Sequence, residues 1–291
     1  MATEVFPSMT AGATTGQRAP EALRKRYGRL TDRLRKRGPC AVAFSGGLDS
    51  AFLLLAAREA LGDRVLAVTA ETVYMAQWEL EEAGEIARGL GVAHLRLDVA
   101  FPEAIRRNPP DRCYRCKHHL MDLILAEART RGFPTVMDGT NVEDAPEDRP
   151  GMRALRELGI VSPLREQGWT KSDIRAMSRA RGLTVWDKPP YACLLTRLPH
   201  GRVVTAKGLR RIEAAERHLA GLGFRAVRVR SHGDLARLEA APADLERLLD
   251  AELRRDVHRT LQGVGFRYVS LDLQGYRSGS MNRDRKKREP E

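Results

Sequence analysis

The sequence has 291 residues, a length that fits one large domain or two of moderate size. Hydrophobic residues make up 42% and charged residues 30%, a balance that supports a packed core and excludes a largely disordered chain. No apolar run approaches the roughly 18–20 residues that cross a membrane. The first twenty residues lack the basic start and apolar stretch of a secretory signal. We therefore expect a cytoplasmic protein with no membrane partner.

The net charge of +12 is concentrated at the two ends of the sequence. Residues 21–37 carry a net charge of +6 and residues 277–291 carry +3. A basic surface can attract nucleic acid, but basic end segments are equally expected to be solvated by water. Because the body of the chain is only mildly basic, we do not expect nucleic acid to be the partner.

Strands and helices alternate through the first two thirds of the chain. Residues 1–19 are small and polar, which predicts a flexible N-terminus. Alternating strands and helices predict an α/β unit with a doubly wound, mostly parallel sheet over residues 20–198. Strands are predicted at 40–44, 64–69, 93–97 and 134–137, and helices at 20–37, 51–60, 77–90, 113–131 and 171–182.

The pattern changes after Pro199 and predicts a second, smaller α+β domain over residues 199–273. The basic residues from 274 to 291 are predicted to form a disordered tail. Helices are predicted at 205–222 and 242–262, and strands at 225–230, 235–239 and 266–273.

The segment SGGLDS lies between the first predicted strand and the helix that follows it. Its two glycines allow the backbone to approach an anion, and the helix N-terminus offers free N–H groups. A carboxylate among phosphates is explained by a bridging Mg²⁺ ion, so Asp49 is a candidate magnesium ligand. The spacing and lysine of a Walker loop are absent.

The segment resembles the PP-loop of the ATP pyrophosphatase superfamily, whose members cleave ATP between the α- and β-phosphates and adenylate a substrate oxygen. That resemblance implies ATP and Mg²⁺ as cofactors. It also implies backbone contacts to adenine at Thr69 and Ala70. Asp138 is a possible second acidic group, and Asn141 lies at a strand's carboxyl end, where α/β sites form. The nucleotide-binding residues of the loop are predicted as Ser45, Gly46, Gly47, Leu48, Asp49 and Ser50.

Four cysteines are too few for a disulfide scaffold, and Cys113 and Cys116 form a CxxC pair at a predicted helix start. Basic neighbours and the helix N-terminus predict lowered thiol pKa values, suited to metal ligation or sulfur chemistry. Cys193 lies in a proline-rich loop, which indicates a positioned side chain. Cys40 begins an apolar strand and is predicted to be buried and inert. His118 and His119 are interpreted as helix-surface residues.

Five segments together resemble the LarE family of sulfurtransferases, and the resemblance extends from about Leu30 to Leu273. These enzymes act on pyridinium-3,5-biscarboxylic acid mononucleotide in the biosynthesis of the nickel-pincer nucleotide cofactor of lactate racemase. The resemblance implies that a substrate carboxylate is adenylated and that sulfur then replaces AMP. The matching segments are AFSGGLDS, DRCYRCK, DGTNVEDAPEDRPGMRALRELGIVSPL, WDKPPYACLLTR and RVRSHGDLARLE.

Two types of LarE-like protein bear on the source of sulfur. In one, the cysteine that corresponds to Cys193 gives up its own sulfur. In the other, that cysteine and a CxxC pair bind a [4Fe-4S] cluster that carries sulfide. With Cys113, Cys116 and Cys193 the chain resembles the cluster type, which implies catalytic cysteines, sulfide or another sulfur donor as a partner, and a homo-oligomer such as a hexamer.

A nucleotide substrate with carboxylates and a phosphate is expected to be bound by arginines. Arg197, Arg228 and Arg230 are the candidates, although Arg228 and Arg230 could equally lie on a solvated strand face. Glu216 and Glu239 lie in family-like segments and are candidates for positioning substrate or metal. Ordinary surface carboxylates explain them equally well.

Three alternatives remain open at this point. A cluster-bearing tRNA thiolase would share the loop and the cysteines and would use a basic surface. An amidating synthetase would explain the loop but leave the cysteines without a role. An iron–sulfur protein with a vestigial loop is disfavoured because Ser45, Asp49 and Ser50 are all present.

Overall fold

The computed structural model describes residues 19–144, 150–277 and 280–282. The predicted flexible N-terminus lies outside these ranges except for Ala19, which is buried. No helix within them is long and apolar enough to cross a membrane.

The first unit is built on a parallel four-stranded sheet with the strand order β3-β2-β1-β4. This arrangement confirms the predicted α/β fold class. The strands are β1 (Cys40–Ala43), β2 (Val65–Glu71), β3 (Ala93–Asp98) and β4 (Thr135–Asp138). The helices are α1 (Glu21–Arg37), α2 (Leu48–Leu61), α3 (Gln77–Gly89), α4 (Arg112–Thr130), α5 (Pro150–Glu157), α6 (Pro163–Glu166) and α7 (Lys171–Ala180).

Both faces of this sheet are covered, which explains why β1 is an uninterrupted apolar run. Cys40 and Val42 face a core that they share with α1, α2, α3 and α7. Ala41 and Ala43 face a second core on the opposite side, shared with α4 and α5. Successive side chains of each strand point to opposite faces, and each face is covered by helices. Only the ends of the strands are therefore left open for a functional site.

The second unit has a three-stranded sheet in which β5 and β6 are antiparallel and β6 and β7 are parallel. Its helices and strands are α8 (Ala206–Gly221), β5 (Arg228–His232), β6 (Leu235–Glu239), α9 (Ala251–Gly263) and β7 (Tyr268–Leu271). The helix predicted over 242–262 begins later. Two 3₁₀ turns precede it, and the Asp250 carboxylate accepts hydrogen bonds from the backbone N–H groups of Glu252 and Leu253 at the start of α9.

The two units share a hydrophobic core. Tyr74 and Ile105, from loops of the first unit, are fully buried with the inner side chains of α8, β5 and β6. Leu194 and Leu195 of the cysteine loop belong to the same core. The boundary predicted at residue 199 therefore falls inside a continuous packed region.

The disordered tail predicted from residue 274 needs correction for the residues that the structure describes. The backbone N–H of Tyr276 donates to the carbonyl of Ala240 at 2.7 Å, and the Ser280 hydroxyl donates to Glu239 at 2.8 Å. These bonds hold residues 275–277 and 280–282 against the end of β6. The rest of the predicted tail, residues 278–279 and 283–291, lies outside the described residues.

Candidate active site

The SGGLDS loop connects β1 to α2 at the carboxyl end of the sheet. Gly46 has φ +68°, and a Cβ there would lie 2.9 Å from the Ala83 Cβ of α3, so only glycine fits. The Ser45 and Ser50 hydroxyls are 3.2 Å apart, and Ser50 donates to the Gly47 carbonyl at 3.0 Å. No side chain among the described residues caps the α2 N-terminus. Its free N–H groups are therefore available to an anion.

Asp49 lies in the first turn of α2 and forms an ion pair with Lys171, the first residue of α7. Burial raises the pKa of Asp49, while Lys171 and Asn141 beside it act in the opposite direction. The Oδ1 atom of Asp49 is buried and accepts no hydrogen bond of normal geometry from the residues that the structure describes. A buried carboxylate oxygen without a partner fits a magnesium ligand.

Asp138 ends β4 and is already surrounded by donors. It accepts hydrogen bonds from the Thr140 hydroxyl at 2.5 Å and from the Ser162 hydroxyl at 2.6 Å, and Lys117 Nζ lies 3.5 Å away. Asn141 is buried, with its side-chain oxygen accepting from the Glu143 N–H at 2.8 Å. Both residues therefore hold the loop after β4 in place beside Asp49.

A mostly apolar pocket of about 190 Å³ opens beside the loop, where β2 ends. Thr69 and Ala70, the predicted adenine contacts, line it together with Ser45. The Thr69 hydroxyl donates to the Phe44 carbonyl at 2.6 Å and lies 2.8 Å from Nε2 of His94. A small, mostly apolar pocket next to a phosphate-binding loop suits a nucleobase.

The structure brings the three predicted catalytic cysteines to one region between the two units. Cys113 is exposed on the first turn of α4, and Cys116 and Cys193 are half-buried against the shared core. Tyr74 connects two of them, because its hydroxyl lies 3.1 Å from the Cys116 sulfur and its carbonyl accepts a hydrogen bond from the N–H of Leu194, the residue after Cys193, at 2.9 Å. Cys40 is fully buried in β1, which confirms its predicted position.

The predicted lowering of the thiol pKa values in the CxxC pair is wrong for Cys116, because burial raises the pKa of that thiol to about 11. Burial also raises the pKa of Cys193, for which no lowering was predicted. The basic neighbours of Cys116 point elsewhere, since Arg115 pairs with Asp111 and Lys117 faces Asp138. At Cys116, the loss of thiolate hydration on burial therefore outweighs the stabilisation of the thiolate by the N-terminus of α4.

Asn108 ties the two cysteine loops together. It is fully buried and has φ +48°, a backbone conformation that residues other than glycine rarely adopt. Its side-chain amide donates to the carbonyls of Leu198 and Pro199, each at 3.0 Å, and its own carbonyl accepts from the Gly201 N–H at 3.2 Å. The segment before the CxxC pair is thereby fixed to the segment after Cys193.

Arg197, expected among the substrate-binding arginines, does not line the large cavity beside the SGGLDS loop. Its guanidinium is buried and makes two hydrogen bonds to Glu216, at 2.9 and 2.8 Å. It also donates to the carbonyls of Ala192 and Cys193. Glu216 in turn accepts from the Val229 N–H at 2.9 Å. This pair positions the cysteine loop against β5.

Arg228 and Arg230 are both buried, so the solvated strand face that the sequence left open does not exist. Arg230 is paired with Glu239, at 2.7 Å. Arg228 donates to the carbonyls of Val227 and Pro190, and burial lowers its pKa. Among the residues that the structure describes, no carboxylate lies within ion-pairing distance of Arg228. A buried cation without an ionic partner favours an anionic ligand.

A cavity of about 930 Å³ joins these groups. Its wall runs from the SGGLDS loop past Cys113 to the two arginines of β5, and Tyr191 lines both this cavity and the adenine-sized pocket. The predicted residues on its wall are Ser45, Gly47, Asp49, Ser50, Cys113, Asp138, Arg228 and Arg230. The cavity is large enough for a nucleotide and a second substrate together.

Several residues of the site are not among those predicted from the sequence. Lys171 pairs with Asp49, and Lys188 donates to Glu82 and to the Gly46 carbonyl. Glu79 lines the adenine-sized pocket, and burial raises its pKa to about 7. Only Lys171 had a usable clue, because it follows the Thr170 cap at a helix start near the predicted loops.

No three His, Cys, Asp or Glu side chains in the described ranges are arranged to hold a single metal ion. His119 is exposed on α4, and the ring of His118 lies beside that of Tyr114, which places both on the helix surface. Among these residues, the CxxC pair has no further side chains placed to complete a zinc site. The free thiols in this region are Cys113, Cys116 and Cys193, and thiolates are the usual ligands of iron–sulfur clusters.

Comparison with protein-family models gives a match to the family described as queuosine biosynthesis protein QueC, over residues 39–109. The matched region contains β1, the SGGLDS loop and the strands that line the adenine-sized pocket. The match is therefore confined to part of the first unit.

Curated relatives match over more of the length. A pyridinium-3,5-bisthiocarboxylic acid mononucleotide synthase from Lactiplantibacillus plantarum is 39% identical over 244 residues, 83% of this chain and 88% of that protein. An uncharacterized protein from Synechocystis is 38% identical over 90% of this chain and 96% of its own. A glutamine-hydrolyzing GMP synthase chain from Archaeoglobus fulgidus is 26% identical over 51% of this chain and 52% of its own. The first two matches cover too much of the chain to be confined to the nucleotide-binding unit.

We expect Gly139→Ala to weaken ATP binding by roughly tenfold or more, because overpacking of a tight backbone contact is destabilising by about 1–3 kcal/mol. An added Cβ would lie 2.7 Å from the Ser50 N and 2.9 Å from the Asp49 carbonyl carbon, which would displace the first turn of α2. Calorimetric titration with ATP measures the effect. Gly89→Ala is the matched control, since its Cβ meets nothing within 4 Å. Equal affinities for the two variants would contradict this role.

Glu79→Gln is expected to stabilise the protein at alkaline pH and to change little near pH 5. A carboxyl whose pKa is raised to about 7 favours folding while it is protonated, and that contribution is lost as the pH rises through 7. Glutamine resembles the protonated form at every pH. Thermal unfolding at pH 5 and pH 8.5 compares the two proteins, and an equal shift in Tm at both values would contradict the expectation.

Proposed function

The chain belongs to the LarE family of pyridinium-3,5-bisthiocarboxylic acid mononucleotide synthases, and on that premise we propose that it is an ATP-dependent, AMP-forming sulfurtransferase. Its substrate is pyridinium-3,5-biscarboxylic acid mononucleotide, a carboxylate of which it converts to a thiocarboxylate. The observation that carries the proposal is one cavity lined by the SGGLDS loop, Cys113, Arg228 and Arg230. Of the two arginines, Arg228 has no carboxylate partner among the described residues.

The loop and its surroundings are suited to ATP. The free N–H groups at the α2 N-terminus and the glycine backbone bind the phosphates, and the pocket beside Thr69 and Ala70 holds adenine. Asp49, with its unpaired Oδ1 atom, would hold Mg²⁺, which neutralises phosphate charge when bound. Lys171 balances the charge of Asp49 in the free protein.

The arginines at the opposite end of the cavity orient the mononucleotide. Arg228 has no carboxylate partner among the described residues, so a phosphate or carboxylate of the substrate would form an ion pair with it. The free carboxylate then attacks the α-phosphorus of ATP, and the bond to pyrophosphate breaks. A sulfur nucleophile next attacks the acyl carbon of the acyl adenylate, AMP leaves, and a thiocarboxylate remains.

The three cysteines fit a [4Fe-4S] cluster by the chemistry of their donor set. They are thiols, the ligand type of iron–sulfur clusters, Cys113 lines the cavity, and Cys116 and Cys193 both pack against the core that the two units share. When bound, such a cluster supplies sulfide at the iron that no cysteine ligates. Arg112 and Arg197 act electrostatically on Cys193 and would balance the negative charge of the site. Cys113, Cys116 and Cys193 are the proposed ligands.

Mass spectrometry tests the reaction directly. The protein is reconstituted anaerobically with iron and sulfide and is then given MgATP, sulfide and the mononucleotide, with tRNA in a parallel reaction. We expect an oxygen-to-sulfur mass change in the mononucleotide together with AMP and pyrophosphate. Sulfur in the tRNA alone would reject the substrate, and AMP formation with neither acceptor modified would reject sulfur transfer.

Removal of one proposed ligand tests the cluster. Cys113→Ala is expected to lose most of the roughly four irons per chain that a reconstituted cluster provides. Cys40→Ala is the matched control, because that thiol is fully buried in β1 and should leave the iron content unchanged. Iron and acid-labile sulfide are measured after reconstitution. Full iron content in the Cys113 variant would contradict the ligand set, and dehydroalanine at Cys193 after turnover would identify that cysteine as the sulfur source.

A further inference from the structure

Residues 275–277 and 280–282, which follow β7, form a short C-terminal strap across the end of β6. The Asp272 N–H donates to the Leu238 carbonyl at 2.8 Å, and the Tyr276 N–H donates to the Ala240 carbonyl at 2.7 Å. The strap thus follows β6 to the position of Glu239. Tyr276, Ser280 and Met281 line the same 930 Å³ cavity as the SGGLDS loop.

The path of the strap depends on a glycine. Gly275 has φ +67°, and a Cβ at this position would lie 2.8 Å from the Ala240 carbonyl oxygen. Any other residue would push the strap away from β6. The backbone is therefore fixed immediately before Tyr276, which limits where the tyrosine ring can lie.

Tyr276 contacts Arg228 through its ring. The guanidinium carbon lies 5.1 Å from the ring centroid of Tyr276 and 5.6 Å from that of Tyr191. The carbonyls of Val227 and Pro190 accept hydrogen bonds from its two terminal nitrogens. Two aromatic rings and two carbonyls thus fix a guanidinium that has no carboxylate partner among the described residues.

Ser280 contacts the second arginine of β5. Its hydroxyl donates to Glu239 Oε1 at 2.8 Å and accepts from Arg230 Nη2 at 3.0 Å, so it bridges a fully buried ion pair. The Thr196 carbonyl accepts from the other terminal nitrogen of Arg230 at 3.0 Å. The strap therefore contacts both cationic groups at the substrate end of the cavity.

We propose that Tyr276 and Ser280 are positioning residues that hold Arg228 and Arg230 in the geometry required to bind the anionic groups of the mononucleotide. This inference rests on the proposed function, because it assumes that the two arginines bind that substrate. An arginine that is already ordered loses less rotamer freedom when a ligand binds, so its affinity for the ligand is higher. None of the described strap residues lines the adenine-sized pocket, so their substitution is expected to change ATP affinity little.

Binding measurements on four variants test the proposal. Tyr276→Leu removes the ring face and is expected to weaken mononucleotide binding about tenfold while ATP affinity changes less than about twofold. Tyr276→Phe keeps the ring and should retain wild-type affinity. Ser280→Ala should weaken the mononucleotide several-fold without affecting ATP. Tyr268→Leu, at a tyrosine of β7 that is 56% exposed, is the matched control and should behave as wild type.

Calorimetric titration with the mononucleotide alone and with ATP alone gives the two affinities for each protein. Unchanged mononucleotide affinity in Tyr276→Leu would overturn the proposal, as would an equal loss of both affinities, which indicates general destabilisation. Failure of Tyr276→Phe to retain binding would overturn the role of the ring. Wild-type protein that binds ATP but not the mononucleotide would contradict the proposed function itself, and this inference with it.

Discussion

The buried ion pair between Arg197 and Glu216 is the contact on which the rest of the site depends. The Nε and Nη2 atoms of Arg197 donate to the two carboxylate oxygens, and Nη1 donates to the carbonyls of Ala192 and Cys193. The same carboxylate accepts from the backbone N–H of Val229 in β5. A single pair therefore fixes the cysteine loop relative to the strand that carries the anion-binding arginines. A buried charge pair contributes little net stability, and its value here is geometric.

The same use of buried charge recurs through the cavity. Arg230 and Glu239 form a second buried pair, and Asp49 and Lys171 form a half-buried pair beside the SGGLDS loop. Arg228 differs because it lacks an ionic partner among the described residues. The contrast separates Arg197, whose pairing with Glu216 holds the cysteine loop in place, from Arg228, whose guanidinium is left without a carboxylate at the cavity wall.

Contiguous motifs were predictable from the sequence and distributed contacts were not. The SGGLDS loop, the parallel sheet and the buried Cys40 follow from local residue patterns, and the structure agrees with them. Lys171 reaches Asp49 across 122 residues of sequence, and no local pattern reports such a pairing. The thiol pKa of Cys116 was predicted in the wrong direction because the helix N-terminus is a local feature, whereas burial against the second unit is a tertiary one.

The common core of the two units has a consequence for how such a chain can diversify. Tyr74 and Ile105, which belong to the nucleotide-binding unit by sequence, are buried among side chains of α8 and β5. A nucleotide-binding half transplanted onto a different C-terminal partner would expose these side chains to water and leave the partner's core incomplete. The two halves are therefore not interchangeable modules. New substrate preferences would have to arise by changing residues on the cavity wall while the joint between the halves is preserved.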